Sequence, residues 1–170
     1  MDIMILENPL LYTLMLYLPA MTANGTAVFV RRGTPIDGGR LFLDGRRILG
    51  DGKTFEGFIV GTYFGVIVVL SYVILSGEFS YIYWGIPSVI GALLGDILGS
   101  FIKRRLNIPR GGKAFLLDQL DFFFGANIGI IIGGVIPNLT TIILGLVIIL
   151  ILHILTNRIA YELGLKDVPW

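Results

Sequence analysis

Apolar residues along this 170-residue chain gather into five runs, at about residues 9–30, 56–75, 81–102, 117–136 and 139–160. Each is close to the roughly 20 residues that a helix needs to cross the hydrocarbon of a bilayer. Polar residues gather between alternate runs: residues 31–55 and 103–116 form long hydrophilic loops, whereas 76–80 and 137–138 are short links. The pattern predicts an all-α integral membrane protein, one membrane domain over residues 1–170 built as a bundle of five transmembrane helices. Five spans place the two termini on opposite sides of the membrane.

Charge indicates which side is which. All 13 Lys and Arg residues fall in 31–55, in 103–116, or toward the C-terminus as Arg158 and Lys166, while the other face carries only Asp2, Glu7 and Glu78. Cations collect on the cytoplasmic side of membrane proteins. The expected topology therefore has the N-terminus outside, the C-terminus cytoplasmic and both long loops in the cytoplasm of a multi-pass cell-membrane protein. The first run lacks a basic leader and is too long for the core of a signal peptide, so it is expected to be retained.

Composition agrees with lipid as the solvent: 55% of residues are hydrophobic and 15% charged, against about one quarter charged in soluble domains. The absence of cysteine excludes disulfides, thiolate metal sites and thiol nucleophiles. Nothing in the chain calls for nucleic acid as a partner. Gly57, Gly61 and Gly65, then Gly91, Gly95 and Gly99, then Gly125, Gly129 and Gly133 recur every four residues in three consecutive runs. That spacing aligns them on one helix face, where small residues let backbones approach closely, within one chain or between chains.

Acids in or beside apolar runs are the candidate chemistry. Asp96 and Asn24 each lie roughly 9 to 10 Å inside the basic boundary, at about 1.5 Å per residue, and a carboxylate at such depth demands a partner. Ser100 and Lys103 follow Asp96 on its own face. Asp118 and Asp121 start the fourth run with both carboxylates on one face, at a helix N-terminus that favours their charge. Such oxygen ligands suit Mg²⁺, which fills its remaining positions with water and phosphate. Outer halves such as VIVVLSYVIL and IILGLVIIL contain almost nothing polar. A transport route needs polar lining through the whole thickness, so a site open only to the cytoplasm is the better reading. His153 in the last run is expected to serve packing or hydrogen bonding, and Asn127 shares the depth of Asp96.

The first loop, RRGTPIDGGRLFLDGRRILGDGKTFEG, is too long and polar for a connector, and its six glycines before Phe55 leave amides free to approach anions. GDGKT is not a nucleotide-binding P-loop, which requires glycine where Arg47 stands and a preceding strand. A flexible cationic segment remains, in which Asp44, Asp51, Gly52, Lys53 and Thr54 are placed to meet phosphates.

GDGKTFEGFIVG, GDILGSFIKRRLNIPRGG and LLDQLDFFFGAN together resemble the CDP-archaeol synthases of archaea, relatives of the phosphatidate cytidylyltransferases, over nearly the whole chain. Ser100, Lys103 and Arg104 match the SxxKR element of the wider signature, and Asp118 and Asp121 its DRxD ending. Gln119 stands where that signature has Arg, and five residues rather than two separate Gly112 from Asp118. The resemblance implies transfer of a cytidylyl group from CTP to an unsaturated isoprenoid ether-lipid phosphate, with release of pyrophosphate. Its implied roles are Mg²⁺ binding and catalysis by Asp118 and Asp121, with Asp96 as a further ligand or as a partner of the ligands, and phosphate binding by Lys53, Lys103 and Arg104 in a setting of membrane lipid. Two rival readings are a CDP-alcohol phosphotransferase, whose DxxD continues into DGxxAR where this chain has FFFGAN, and an ion-coupled transporter built on Asp96.

Overall fold

The computed structural model describes residues 8–30, 32–109, 112, 114 and 116–165. The expectations for Asp2, Glu7, Arg31, Lys113 and Lys166 lie outside those residues. Helix α1, Pro9–Thr26, opens on Asn8, whose side chain accepts from the amides of Leu10 and Leu11. Proline at its first position forfeits only an amide that has no helical partner. A short 3₁₀ turn, Ala27–Phe29, follows. Helix α2, Phe55–Ser76, starts at Thr54 and stops at Gly77, whose φ of 73° is a left-handed cap that glycine adopts without a Cβ clash. Helix α3, Ser80–Arg105, ends in a basic turn. Helix α4 is Leu117–Ile132, and α5, Leu139–Glu162, is capped by Asn138.

The expectation of five transmembrane helices does not hold. Of the five α-helices among the described residues, three are long and apolar enough to cross a membrane: Phe55–Ser76, Ser80–Arg105 and Leu139–Glu162. Helix α4 falls short at 16 residues, because the chain turns at Gly133 and Gly134 instead of continuing to Ile136. Helix α1 is 18 residues long and carries Pro19 and Asn24 within it. The sequence runs looked longer because apolar residues continue past the helix ends.

Helix α3 is the central element, packing on α1, α2 and α4. Its contact with α4 is backbone against backbone. A Cβ added to Gly91 would strike the carbonyl of Gly125, one on Gly125 the carbonyl of Gly91, and one on Gly129 the carbonyl of Pro87. Helix α2 uses its glycines on other neighbours: a Cβ on Gly61 would come 2.7 Å from the Ala23 carbonyl of α1, and one on Gly65 2.7 Å from Val89 of α3. The fully buried Ala20, Ala23, Ala92 and Ala126 continue the same device. Tyr17 donates its hydroxyl to Asn127 Oδ1 at 2.8 Å, tying α1 to α4.

The described part of the first loop is folded around one acid. Asp37, its side chain fully buried, accepts from Arg47 at 2.8 Å and from the amides of Leu49, Gly50 and Gly39 at 2.9, 3.0 and 3.1 Å. Ile36 donates to the Lys53 carbonyl, and Phe55 to that of Thr34, closing the loop over the start of α2.

Gly125→Val is expected to lower stability by about 3 kcal/mol, the upper part of the usual range for overpacking, because the obstacle is backbone that cannot rotate away. Gly25→Ala, with open space around its Cβ position, is expected to leave stability unchanged or slightly raised. Thermal unfolding of the two variants in one detergent checks the contrast.

Candidate active site

The polar cluster forms where the ends of α3 and α4 meet the first loop. The loop delivers Lys53 to Asp96 of α3, and the two side chains are ion-paired. One turn beyond the two buried residues Gly99 and Ser100, Lys103 pairs with Asp118 of α4 at 2.5 Å. Asp118 also receives the Ala114 amide at 3.3 Å. Leu116, immediately before α4, holds φ at 70°, a backbone state costing on the order of 1–3 kcal/mol for a side-chain-bearing residue. That turn brings Asp118 to Lys103.

Asp121 sits between the two pairs, within electrostatic reach of Asp96, Lys53 and Lys103. Its Oδ1 accepts from the Phe122 amide at 2.6 Å, and its Oδ2 is buried without a hydrogen-bond partner. A Cβ on Gly99 would strike that same Oδ2. Gly99, read from sequence as a packing glycine, thus also makes the space that the carboxylate fills. Arg104 lies within electrostatic reach of Asp118 and has a buried Nε with no partner.

A small cleft opens beside the Lys53–Asp96 pair, lined by Gly52, Lys53, Thr54 and Asp96 with Ala27, Ile36 and Leu93. Within it Thr54 caps α2, accepting the Gly57 amide at 3.1 Å. Asn24 is half-buried on α1, three residues before Ala27 of the cleft. Asp44 and Asp51 stand apart: Asp44 pairs with Arg105 and Asp51 with Arg47, at 2.8 and 2.7 Å, so both brace the loop. Sequence reasoning missed Asp37, Glu56 and Arg105. Glu56 accepts from the Thr34 amide and hydroxyl, at 2.6 and 2.8 Å. Arg105 donates to the Arg47 carbonyl at 2.6 Å. His153 is hydrogen-bonded, its Nδ1 lying 3.0 Å from Asn157 Nδ2 and 3.3 Å from Gln119 Nε2.

No group of three or more His, Cys, Asp or Glu side chains among the described residues is drawn together as a ready metal cage. Two of the three aspartates are instead held by ammonium groups. Mg²⁺ is commonly bound through one or two carboxylates plus phosphate oxygens, and the unpartnered Asp121 Oδ2, with the Asp96 carboxylate within electrostatic reach, is a donor set of that hard-oxygen kind.

The CarS-like, CDP-archaeol synthase family model matches residues 5–170. The chain belongs to the CDP-archaeol synthase family. A CDP-archaeol synthase of Sulfurisphaera tokodaii is 49% identical over 163 residues, covering 94% of this chain and 96% of that one. Another, of Sulfolobus acidocaldarius, is 46% identical over 164 residues, covering 95% and 98%. A solved structure described as an intramembrane enzyme for archaeal membrane lipids biosynthesis superposes with a TM-score of 0.82 at 40% identity, covering 87% of this chain and 94% of that one. Membership makes this chain a multi-pass membrane nucleotidyltransferase of archaeal ether-lipid synthesis, CTP-dependent like its family. The phosphotransferase and transporter readings fall with it.

The Arg47 guanidinium, helped by the Gly50, Leu49 and Gly39 amides and opposed by burial, holds the Asp37 carboxyl far below the usual carboxylate range. A depressed folded-state value means the stabilisation is complete above the unfolded pKa of about 4 and is lost as pH falls from there through the folded value. Hydrogen-exchange protection of the Leu49 and Gly50 amides is therefore expected to stay flat between pH 5 and 8, by the same reasoning, and to decline in acid. Asp37→Asn should lower that protection at neutral pH and flatten its acid dependence.

Proposed function

We propose that this chain transfers the cytidylyl group of CTP to an unsaturated isoprenoid ether-lipid phosphate, forming a CDP-activated lipid and pyrophosphate, and that the whole chain acts as one membrane unit. The observation that carries the site assignment is the convergence of Lys53–Asp96, Lys103–Asp118 and the unpartnered Asp121 Oδ2 at one end of the α3–α4 contact. The family's own name supports the substrates. Every Lys and Arg falls in the two long loops or toward the C-terminus, which supports a cytoplasmic opening where CTP is available.

The reaction needs little from the protein by way of proton transfer. A phosphomonoester has a second pKa of about 6 and is largely dianionic at neutral pH. One of its oxygens attacks the α-phosphorus of CTP, a new oxygen–phosphorus bond forms, and the bond to the β-phosphate oxygen breaks as pyrophosphate leaves. Positioning and charge stabilisation therefore supply the catalysis. Lys53 and Lys103 rest on carboxylates, and a triphosphate competes for both ammonium groups. Arg104 adds a fixed positive charge beside Asp118, Gly52 and Thr54 line the cleft, and Ser100 lies buried on α3 between Asp96 and Lys103. Asn24 offers an amide from α1, and Asp44 and Asp51 contribute through the loop they brace. Asp96, Asp118 and Asp121 would hold Mg²⁺, which when bound offsets the charge gathering on the phosphates.

Two tests follow. Purified protein given α-labelled CTP and a defined ether-lipid phosphate is expected to yield a labelled lipid and one pyrophosphate per turnover. A labelled lipid without pyrophosphate, or no CTP consumption, rejects the reaction. Asp118→Asn and Asp121→Asn are each expected to reduce turnover by about 100-fold or more, the scale for losing one electrostatic element of such a site. Both should stay folded with an unchanged elution profile, and near-normal turnover in both would remove the acids from the site.

A further inference from the structure

Residues 41–47 form a hairpin whose apolar residues have no task in the proposed reaction. Leu41 and Arg47 pair across it, the Phe42 amide donates to the Arg46 carbonyl at 2.7 Å, and Gly45 donates back to Phe42. Its tip is apolar and bare: Leu43 is 95% exposed, Leu41 61% and Phe42 40%. An ordered turn that presents a leucine and its apolar neighbours outward forgoes roughly 1.5–3 kcal/mol for each such side chain unless something covers it.

Where the hairpin is fastened says what covers it. Phe42 meets Phe101 of α3 edge-on at 5.3 Å, and the Arg105 guanidinium lies over both rings, 4.7 and 5.0 Å from their centroids. Arg105 pairs with Asp44 and accepts the Arg46 guanidinium on its carbonyl, each at 2.8 Å. The hairpin is thus bolted to the last turns of α3. Leu94, Leu98, Ile102 and Leu106 of that helix and its cap recur every four residues and are 48%, 61%, 44% and 62% exposed. On a helix apolar and long enough to span a membrane, that stripe is its lipid-facing side. It reaches the level of Lys103, Arg104 and Arg105, the residue types that mark the headgroup layer. Phe42 at the tip packs on Phe101, the neighbour of Ile102 in that stripe, and the exposed Arg40 and Arg46 add positive charge to the hairpin.

We propose that the Leu41–Leu43 tip inserts among the headgroups of anionic membrane lipid beside α3, and that this contact holds open the side from which the lipid phosphate reaches the site. The second clause rests on the reaction proposed above; the first does not. One loop then has two ends with different solvents, Lys53 toward the polar cleft and Leu43 toward the bilayer.

The chain has no cysteine, so Leu43→Cys gives a single attachment point for a polarity-sensitive dye. In proteoliposomes containing phosphatidylglycerol and nitroxide-bearing lipid, the dye at position 43 is expected to be blue-shifted and strongly quenched. A dye on Asp51→Cys, whose native side chain is 57% exposed in the same loop, is expected to read as water. Equal quenching at the two positions overturns the insertion. So does a dye at position 43 that is shielded from aqueous iodide yet untouched by the lipid nitroxide, since a protein surface would then be the occupant. For the second clause, Leu43→Glu is expected to raise the KM for lipid phosphate about ten-fold with the KM for CTP unchanged, the pattern of an interaction serving one substrate alone. An equal change in both, or in neither, overturns that clause. A wild-type protein that consumes no CTP would instead defeat the reaction and leave the quenching result standing.

Discussion

Everything at the polar end depends on how closely the backbones of α3 and α4 approach. Gly91, Gly95, Gly125 and Gly129 leave no room for a Cβ between the two helices. Lipid tails are as apolar as leucine, so no hydrophobic force brings helices together within a bilayer, and dense van der Waals contact must do so. The same contact sets the separation of the functional groups. Gly99 extends the glycine line by one turn, and the space it leaves is filled by the Asp121 carboxylate. Packing and site are consecutive turns of one interface.

That interface also explains how a membrane protein tolerates so many charges. Ionised groups taken from water lose several kcal/mol each unless partners compensate. Lys53 with Asp96 and Lys103 with Asp118 provide the compensation, each side chain about one fifth exposed. The pairs remain near enough to solvent for an incoming anion to contest them. Only Asp121 Oδ2 and the Nε groups of Arg104 and Arg105 are buried charged-group atoms left without partners among the described residues. Two of the three lie on residues assigned to the phosphate and metal chemistry.

The glycine spacing made the close packing of three helices legible in the sequence, because a period of four maps directly onto one face. The acids were legible too, since a carboxylate among apolar residues stands out by its cost. The Lys53–Asp96 pair was not: its partners are 43 residues apart, and no local rule links a loop lysine to a helix aspartate. Asp37 was passed over because a loop acid followed by Gly38 and Gly39 reads as a turn, while its burial depends on Arg47 ten residues on. The count of spans failed for a different reason. Hydropathy sees apolar residues and not where a helix stops, so the residues after Gly133 were counted into a span that α4 does not make.

The knot at Asp37 has a mechanical consequence. Hydrogen bonds from Arg47, Leu49, Gly50 and Gly39 meet on one carboxylate, and Arg105 and Glu56 fasten the perimeter to α3 and to the start of α2. A segment tethered at its middle and at its edges moves as a stiff plate, not as a chain of independent residues. The leucine-tipped rim and the Lys53 ammonium are therefore held at a fixed spacing on one plate, whose hub is a single buried carboxylate.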